Sequence, residues 1–284
     1  MLVQARRGGV GLAWESAGSG TAVLLIPGYG MTRQGWWRTV PVLARRFRVL
    51  TFDGRGLGDS DPAALPYGIG ELADDAVAVL DDAGEERAHV YGLSLGGMVA
   101  QELALRHPDR VRALVLGATT PGGPRAVPGD AVALSLFARS VAMPAEEAAW
   151  AAVTHLYAER TRRRHGGVIA EDVAARLEHG AGSYARTQQL LAAAGHNALD
   201  RLAEIQAPTF VVHGAQDAIV PVANAQLLHA GIRGSALRIW PRAGHLYVSE
   251  ERRADREIAR FLARHDLRRR WWRRLGLRGA AKSQ

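Results

Sequence analysis

The stretch Tyr91-Gly92-Leu93-Ser94-Leu95-Gly96-Gly97 decides how this 284-residue chain folds. A β-like run at 88–91 precedes it, and a helical pattern with one apolar face follows over 98–107. Ser94 therefore lies where a strand turns sharply into a helix, between glycines at positions where larger side chains would collide. The turn projects the serine hydroxyl from the sheet edge, beside the free N–H groups and the positive dipole end of the helix. A glycine-rich turn with an incidental serine is the alternative, but the strand–turn–helix context favours a nucleophile.

The bulk composition fits one large α/β domain and excludes several classes of protein. The chain has no cysteine, which excludes disulfides, thiol catalysis and thiolate metal sites. Residues 1–20 lack the apolar segment of a signal peptide, and no apolar run approaches the ~20 residues that span a bilayer. We therefore expect a cytoplasmic protein.

The net charge of +8 is concentrated at the C-terminus. Residues 268–284 hold seven basic and no acidic residues, which leaves 29 basic against 28 acidic residues in the rest of the chain. No nucleic-acid partner is therefore expected. Residues 268–278 combine arginines with Trp271 and Trp272, a composition that suits peripheral contact with a membrane. The alternative for 267–284 is a flexible, solvated tail.

Strand and helix patterns alternate along most of the chain. Apolar runs predict strands at 9–15, 22–26, 47–52, 88–91, 113–116, 209–213 and 236–240, and periodicity predicts helices at 36–46, 71–83, 222–230 and 250–265. Such alternation is typical of a parallel sheet covered by helices on both faces. The pattern over 121–202 is helical and alanine-rich instead. The domain prediction is therefore a core of 1–120 and 203–266 with a helical insertion at 121–202.

Two loops downstream of Ser94 supply the partners that a serine nucleophile needs, a base and a carboxylate that orients it. Asp217 follows the predicted strand 209–213, and His245 follows the next strand, directly after Gly244. The carboxyl ends of parallel strands meet at one edge of the sheet, where ligands bind. The predicted roles are attack by Ser94, proton transfer by His245 and orientation of the imidazole by Asp217. Acids near 200–204 and nine other histidines are the competing candidates.

Two backbone N–H groups are candidates for stabilising the oxyanion of a tetrahedral intermediate. One belongs to Leu95, the residue after the nucleophile. The other lies in the loop Pro27-Gly28-Tyr29-Gly30, where the N–H of Tyr29 is the best candidate and glycine gives the backbone its freedom. Gly28, Tyr29 and Leu95 are accordingly predicted to contact the substrate.

Together these segments resemble the α/β-hydrolase family over nearly the whole chain. The matching pieces are the 27–30 loop, the segment 53–60 (Asp-Gly-Arg-Gly-Leu-Gly-Asp-Ser), the Ser94 turn, the 214–221 loop and Gly244-His245. The resemblance implies an α/β-hydrolase fold with a mostly parallel eight-stranded sheet flanked by helices, and an inserted helical cap between strands six and seven. Pro27 stands where the family more often has a structural histidine, and the 53–60 segment is conformational rather than catalytic in the family.

The resemblance also narrows the expected reaction. Family branches with an aspartate nucleophile, the dehalogenases and epoxide hydrolases, are disfavoured because Ser94 occupies that position. A small-molecule carboxylic ester or lactone, cleaved through an acyl-enzyme without cofactor or metal, is the expected substrate. Perhydrolysis as in haloperoxidase-like members, C–C bond hydrolysis and acyl transfer use the same triad and stay open. A non-catalytic binding protein of the same fold is the alternative from another class, and the complete triad argues against it.

The insertion is expected to decide which substrate fits. Most of its apolar residues at helical spacing should pack the insertion onto the core, and a minority should line an apolar pocket, with Phe137 and Trp150 as the predicted members. The basic run 160–165 is interpreted as a solvated face. His155, His179 and His196 are interpreted as ordinary polar residues. The sequence contains no pair of histidines at metal-ligand spacing with a nearby acid, so it predicts no metal site.

Overall fold

The computed structural model describes residues 3–63, 66–178 and 182–274, with side chains described as far as residue 266. Within this part, one sheet contains the strands β1 (Val3–Arg7), β2 (Val10–Gly18), β3 (Ala22–Ile26), β4 (Arg48–Phe52), β5 (Ala88–Leu93), β6 (Val111–Gly117), β7 (Thr209–Gly214) and β8 (Ala236–Trp240). Their spatial order is β1-β2-β4-β3-β5-β6-β7-β8. Strand β2 pairs antiparallel with both β1 and β4, and all the other neighbours are parallel. This is the α/β-hydrolase architecture that the family resemblance implied.

Helices cover both faces of the sheet and fill the segment between β6 and β7. The α-helices are α1 (Val40–Leu43), α2 (Ile69–Asp82), α3 (Leu95–Arg106), α4 (Ala131–Ser140), α5 (Ala145–Leu156), α6 (Glu159–Arg164), α7 (Gly166–Glu178), α8 (Ser183–Ala194), α9 (Ala223–Gly231), α10 (Tyr247–Glu250) and α11 (Ala254–Arg274). Short 3-10 helices span Arg33–Trp36, Pro108–Arg110 and Leu199–Glu204. The insertion therefore comprises α4 to α8, and the described residues between β6 and β7 contain no strand of the sheet.

Two apolar cores lie on opposite faces of the sheet. Every residue of β3 is buried, as expected for a strand covered on both sides. Leu24 and Ile26 face the core beneath α2, α3 and α9, whereas Val23 and Leu25 face the core beneath α1 and α11. The insertion has a smaller cluster of its own, built mainly from α5 and α7. An isolated antiparallel bridge between Gly122 and Asn197 joins the two ends of the insertion.

One strand was not predicted from the sequence, and two helices differ from their predicted extents by several residues. Strand β1 gave no apolar pattern because only Ala5 of its five residues is buried, at the edge of the sheet. The helix predicted over 36–46 is wrong in extent, because the segment forms the 3-10 turn Arg33–Trp36 and then the four-residue α1, which has proline in its first turn. Helix α11 starts four residues later than predicted and continues to Arg274, so the predicted boundary at 266 falls inside a helix.

The membrane prediction for 268–278 lies outside the residues whose side chains are described, and it stays a prediction. Across the part of the chain that the structure describes, no helix has both the length and the apolar character needed to cross a bilayer.

The glycine-rich segment 53–60 is held by a buried carboxylate. Asp53 is fully buried and forms an ion pair with the guanidinium of Arg33. The same carboxylate accepts hydrogen bonds from the N–H groups of Arg33 (2.7 Å) and Asp59 (3.0 Å). These contacts hold the segment against the 3-10 helix that begins at Arg33. The carboxylate of Asp53 therefore has a structural role.

A second buried carboxylate predicts pH-dependent stability. Asp255 is 6% exposed, and burial raises its pKa to about 7, although a hydrogen bond with Thr39 acts in the opposite direction. The unfolded carboxyl has a pKa near 4, so between about pH 4 and 7 the unfolded chain has lost this proton whereas the folded protein still holds it. The free energy of unfolding therefore falls as the pH rises through this range. Asp255→Asn should therefore raise the free energy of unfolding by about 2–4 kcal/mol at pH 8 and by under about 1 kcal/mol at pH 4.

Urea unfolding of both proteins at the two pH values measures this difference. Asp200→Asn is the matched control, because the side chain of Asp200 is 76% exposed. Equal stabilisation by Asp255→Asn at both pH values would contradict the ionisation argument.

Candidate active site

Ser94 adopts a strained backbone conformation between β5 and α3. Its φ of 56° and ψ of −119° lie in a region that non-glycine residues rarely occupy. Its neighbours enforce the turn: a Cβ on Gly92 would lie 2.1 Å from the carbonyl oxygen of Gly96, and a Cβ on Gly96 would lie 2.1 Å from that of Ile26. Backbone strain held in place by such packing is typical of functional sites.

The end of β6 anchors the same turn. The N–H of Ser94 donates to the carbonyl of Gly117 (2.8 Å), and the Oγ1 hydroxyl of Thr119 donates to the carbonyl of Ser94 (2.7 Å). These bonds involve only the backbone of Ser94, so its Oγ is free to face the site.

The side chains of Ser94, His245 and Asp217 form one chain of hydrogen bonds. Nε2 of His245 lies 2.9 Å from Oγ of Ser94, and Nδ1 of His245 lies 2.7 Å from Oδ2 of Asp217. His245 and Asp217 are buried, and Ser94 is partly buried. The three residues are far apart in sequence, and the loops after β5, β7 and β8 bring them together at one edge of the sheet.

Asp217 is fixed by bonds to its other oxygen and by a second histidine. Oδ1 accepts from the N–H groups of Ile219 (2.9 Å) and Val220 (2.8 Å), and Nε2 of buried His213 lies 3.2 Å from Oδ2. Burial alone would raise the pKa of Asp217, but the charge of His245 and hydrogen bonds from His213 and His245 outweigh it and lower that pKa to about 2. The carboxylate is therefore ionised at neutral pH and orients Nδ1–H of His245.

The loop that carries His245 is attached to the insertion. The carboxylate of Glu250 accepts from the N–H of Gly244 (2.5 Å) and from the N–H of Ala158 (2.8 Å), the residue directly before α6. In addition, the N–H of Leu246 donates to the carbonyl of Leu156 (3.0 Å). The position of His245 thus depends on contacts with the insertion as well as with the sheet.

Two N–H groups beside Ser94 are available to an oxyanion. Leu95 is the first residue of α3, so its N–H has no intrahelical acceptor. The 27–30 loop lies against the turn, since a Cβ on Gly28 would lie 3.5 Å from Cβ of Ser94. Within the described residues, no protein acceptor takes the N–H of Tyr29 or Leu95. The N–H of Gly30, in contrast, donates to Oε1 of Gln189 on α8 (2.8 Å).

A cavity of about 540 Å³ opens onto Ser94 and His245. Its walls come from the 27–30 loop, the start of α3 and the insertion, and most of the lining is apolar. The apolar lining includes Met31, Leu93, Met98, Leu134, Leu156, Leu190, Val220 and Leu246. Arg176 is the one arginine or lysine among the described lining residues. Such a cavity suits a small, largely apolar substrate.

Four of the five predicted substrate-binding residues line this cavity: Gly28, Tyr29, Leu95 and Phe137. The structure places Trp150, the fifth, away from the cavity. Trp150 is 48% exposed and does not line the cavity, because α5 buries the face that carries Ala149, Ala152 and Leu156, and Trp150 projects from another side of the helix.

Two polar residues of the site, His196 and Gln189, were not predicted from the sequence. His196 lines the cavity, and Gln189 holds the 27–30 loop from the insertion. Neither belongs to a motif, and both positions depend on how the insertion packs on the core, so the sequence offered no signal for either. Among the described residues, no group of three or more His, Cys, Asp or Glu side chains is arranged to hold a metal ion.

The chain belongs to the α/β-hydrolase family, because the family model for the alpha/beta hydrolase fold matches residues 21–251. It is 33% identical over 229 residues to a protein of Azorhizobium caulinodans named as a candidate carbamate hydrolase, RutD, covering 80% of this chain and 85% of that protein. It is 30% identical to the pimeloyl-acyl-carrier-protein methyl ester esterase of Aeromonas hydrophila, covering 81% and 91%. The crystal structure of a hydrolase from Pseudomonas aeruginosa matches with a TM-score of 0.80 at 29% identity, covering 92% and 98%. These similarities support a hydrolase, with substrates that differ among its relatives.

Proposed function

We propose that this protein is a serine hydrolase that cleaves a carboxylic ester or lactone through an acyl-enzyme at Ser94. The observation that carries the proposal is the continuous hydrogen-bonded chain from Oγ of Ser94 through His245 to Asp217, at the floor of an apolar cavity. A serine hydroxyl is a weak nucleophile until a neighbouring base can accept its proton. His245 is within reach to do so, and Asp217 is ionised to stabilise the imidazolium that forms.

In the first half of the reaction, Oγ of Ser94 attacks the ester carbonyl carbon while Nε2 of His245 takes the hydroxyl proton. The carbonyl π electrons move to oxygen, and the N–H groups of Tyr29 and Leu95 bind the resulting oxyanion. The intermediate collapses, the C–O bond to the alcohol breaks, and His245 returns its proton to the departing oxygen. In a lactone the alcohol stays attached to the acyl chain.

In the second half, water takes the place of the alcohol. His245 accepts a proton from water as its oxygen attacks the acyl carbon, and the same N–H groups bind the second oxyanion. Collapse breaks the bond to Oγ of Ser94, which regains its proton from His245 and releases the acid.

A panel of p-nitrophenyl esters from acetate to palmitate tests the proposal. The account predicts hydrolysis with an initial release of up to one equivalent of p-nitrophenol per chain, because the first product leaves before the acyl-enzyme reacts with water. Phenyl carbamate, added to the panel, tests for carbamate hydrolysis, the activity in the name of the A. caulinodans relative. A folded protein that cleaves no ester or lactone would contradict the proposal.

Gln189 is expected to position the oxyanion loop from the insertion. It is 4% exposed, and its Oε1 holds the N–H of Gly30, the residue next to Tyr29. Gln189→Leu should lower kcat by about 10- to 100-fold with little change in KM, since loss of a complete oxyanion donor costs about 100- to 1,000-fold. Gln189→Glu retains an acceptor for the N–H of Gly30 and should recover most of the activity.

Affinity for a trifluoromethyl ketone, which forms an oxyanion on Ser94, should fall in parallel with kcat in Gln189→Leu. Gln188→Leu is the matched control on the same helix, since Oε1 of Gln188 has no hydrogen-bond partner in the described part of the chain. Equal losses in the Gln188 and Gln189 variants would indicate a general effect on α8 and not a positioning role.

A further inference from the structure

His196 is a buried imidazole that lines the same cavity as Ser94 and has an unpaired ring nitrogen. It is 6% exposed, and among the described residues its Nε2 finds no hydrogen-bond partner. Buried polar atoms of side chains are nearly always hydrogen-bonded, so an exception in a ligand cavity calls for an explanation. A substrate group that completes the hydrogen bonding of this ring is one such explanation.

The backbone holds His196 firmly in the cavity wall. Its carbonyl accepts from the N–H of Gly123 (3.1 Å), and its own N–H donates to the carbonyl of Ala193 (3.1 Å). The next residue, Asn197, forms the bridge to Gly122. Gly122 has a φ of 67°, and a Cβ there would lie 2.1 Å from the carbonyl oxygen of His196 and 3.0 Å from its Cδ2. His196 therefore occupies a fixed position in the cavity wall, with its imidazole packed against Gly122.

Nearby polar side chains on this wall are already paired with protein groups. Oδ1 of Asn224 accepts from the Oγ1 hydroxyl of Thr120 (3.0 Å) and from the N–H of Val127 (3.0 Å). Nδ2 of Asn224 donates to the carbonyls of Val127 (2.8 Å) and Pro221 (3.1 Å). Asn224 thus uses its hydrogen-bonding capacity within the protein, whereas His196 retains some for a ligand.

The charge state of His196 indicates which ligand group it suits. Burial lowers the pKa of His196 to about 4, although the charge of Glu102 acts in the opposite direction. At neutral pH the ring is therefore uncharged, with one N–H donor and one nitrogen acceptor. An anionic group would gain no opposite charge from this ring. A hydroxyl both donates and accepts, so it can pair with either tautomer.

We propose that His196 binds a hydroxyl group of the substrate, so that the protein prefers hydroxylated esters or lactones to isosteric substrates without the hydroxyl. This inference rests on the proposed ester hydrolysis and adds a specificity-determining residue to it. A site built to hydrogen-bond a substrate hydroxyl discriminates strongly against the analogue that lacks it, because the buried polar group of the protein is then left unpaired.

Two isosteric ester pairs test the proposal, one for each side of the scissile bond. They are p-nitrophenyl 3-hydroxybutyrate with p-nitrophenyl 3-methylbutyrate, and 2-hydroxyethyl butyrate with propyl butyrate. Each kcat/KM is divided by the rate of alkaline hydrolysis of the same ester, which removes differences in intrinsic reactivity. The wild type should favour the hydroxylated member of at least one pair by about tenfold or more.

Variants assign that preference to the imidazole. His196→Phe should reduce the ratio to about one, whereas His196→Gln, which keeps a donor and an acceptor, should retain most of it. His229→Phe, at an exposed histidine, is the matched control and should show the wild-type ratio.

The outcomes separate this inference from the function on which it rests. Equal normalised rates within both pairs in the wild type would overturn the hydroxyl site and leave ester hydrolysis standing, and so would an unchanged preference in His196→Phe. Failure of the folded wild type to cleave these four esters or any other ester or lactone would overturn the proposed function itself. The wild-type ratio requires no variant, so equal rates in the wild type overturn the hydroxyl site even where a substitution at His196 prevents folding.

Discussion

Ser94→Ala is expected to lower kcat for a p-nitrophenyl ester by about 10⁶-fold, which leaves only the contribution of the oxyanion donors and of substrate binding. The hydrogen bonds that hold this turn involve the backbone of Ser94 and survive the substitution. At a φ of 56°, alanine and serine incur similar backbone strain. The variant should therefore fold, and circular dichroism and thermal unfolding check that it does.

Ser183→Ala is the matched control, because Ser183 is exposed at the start of α8. It should retain wild-type activity. A Ser94→Ala protein that keeps more than about 1% of the wild-type kcat would show that the nucleophile lies elsewhere.

Asp217→Asn is expected to lower kcat by about 10⁴-fold through the tautomer of His245. The N–H groups of Ile219 and Val220 both donate to Oδ1 and would keep the amide oxygen of asparagine at that position. The amide NH₂ would then face Nδ1 of His245, which must give up its proton to accept the new hydrogen bond. Nε2 would carry the proton instead and could not take one from Ser94.

Asp200→Asn is the matched control for this substitution. Asp200 belongs to the group of acids that competed with Asp217 in the sequence, and it pairs with Arg125 (2.5 Å) where both side chains are largely exposed. Full activity in Asp200→Asn beside the large loss in Asp217→Asn supports the account. An Asp217→Asn variant whose kcat lies within about tenfold of the wild-type value would contradict it.

The residues that converge on the sheet edge could be predicted because local sequence determines where they lie. Ser94, Asp217 and His245 each follow a strand with a clear apolar pattern, and the carboxyl ends of parallel strands meet at one edge. The glycines around Ser94 identify the turn itself, since any side chain at Gly92 or Gly96 would collide with backbone. Strand β1 gave no such signal, because an edge strand with one buried residue lacks the pattern of a core strand.

Three residues of the insertion, Trp150, Gln189 and His196, could not be placed in the same way. Helical periodicity predicts that one face of α5 is buried, but it does not say whether Trp150 lies toward the cavity or toward solvent. Gln189 and His196 reach the site through contacts with the 27–30 loop and with Gly122–Gly123, which are distant in the sequence. Such contacts depend on how the insertion packs on the core, and no local pattern encodes them.

Covalent trapping shows whether Ser94 is the activated nucleophile. Diethyl p-nitrophenyl phosphate transfers its phosphoryl group to a serine that a neighbouring base activates, and p-nitrophenol leaves. Peptide mass spectrometry should find one diethyl phosphate per chain, on Ser94, and none in Ser94→Ala. A folded wild-type protein that forms no adduct, or that carries it on a different residue, would contradict the account.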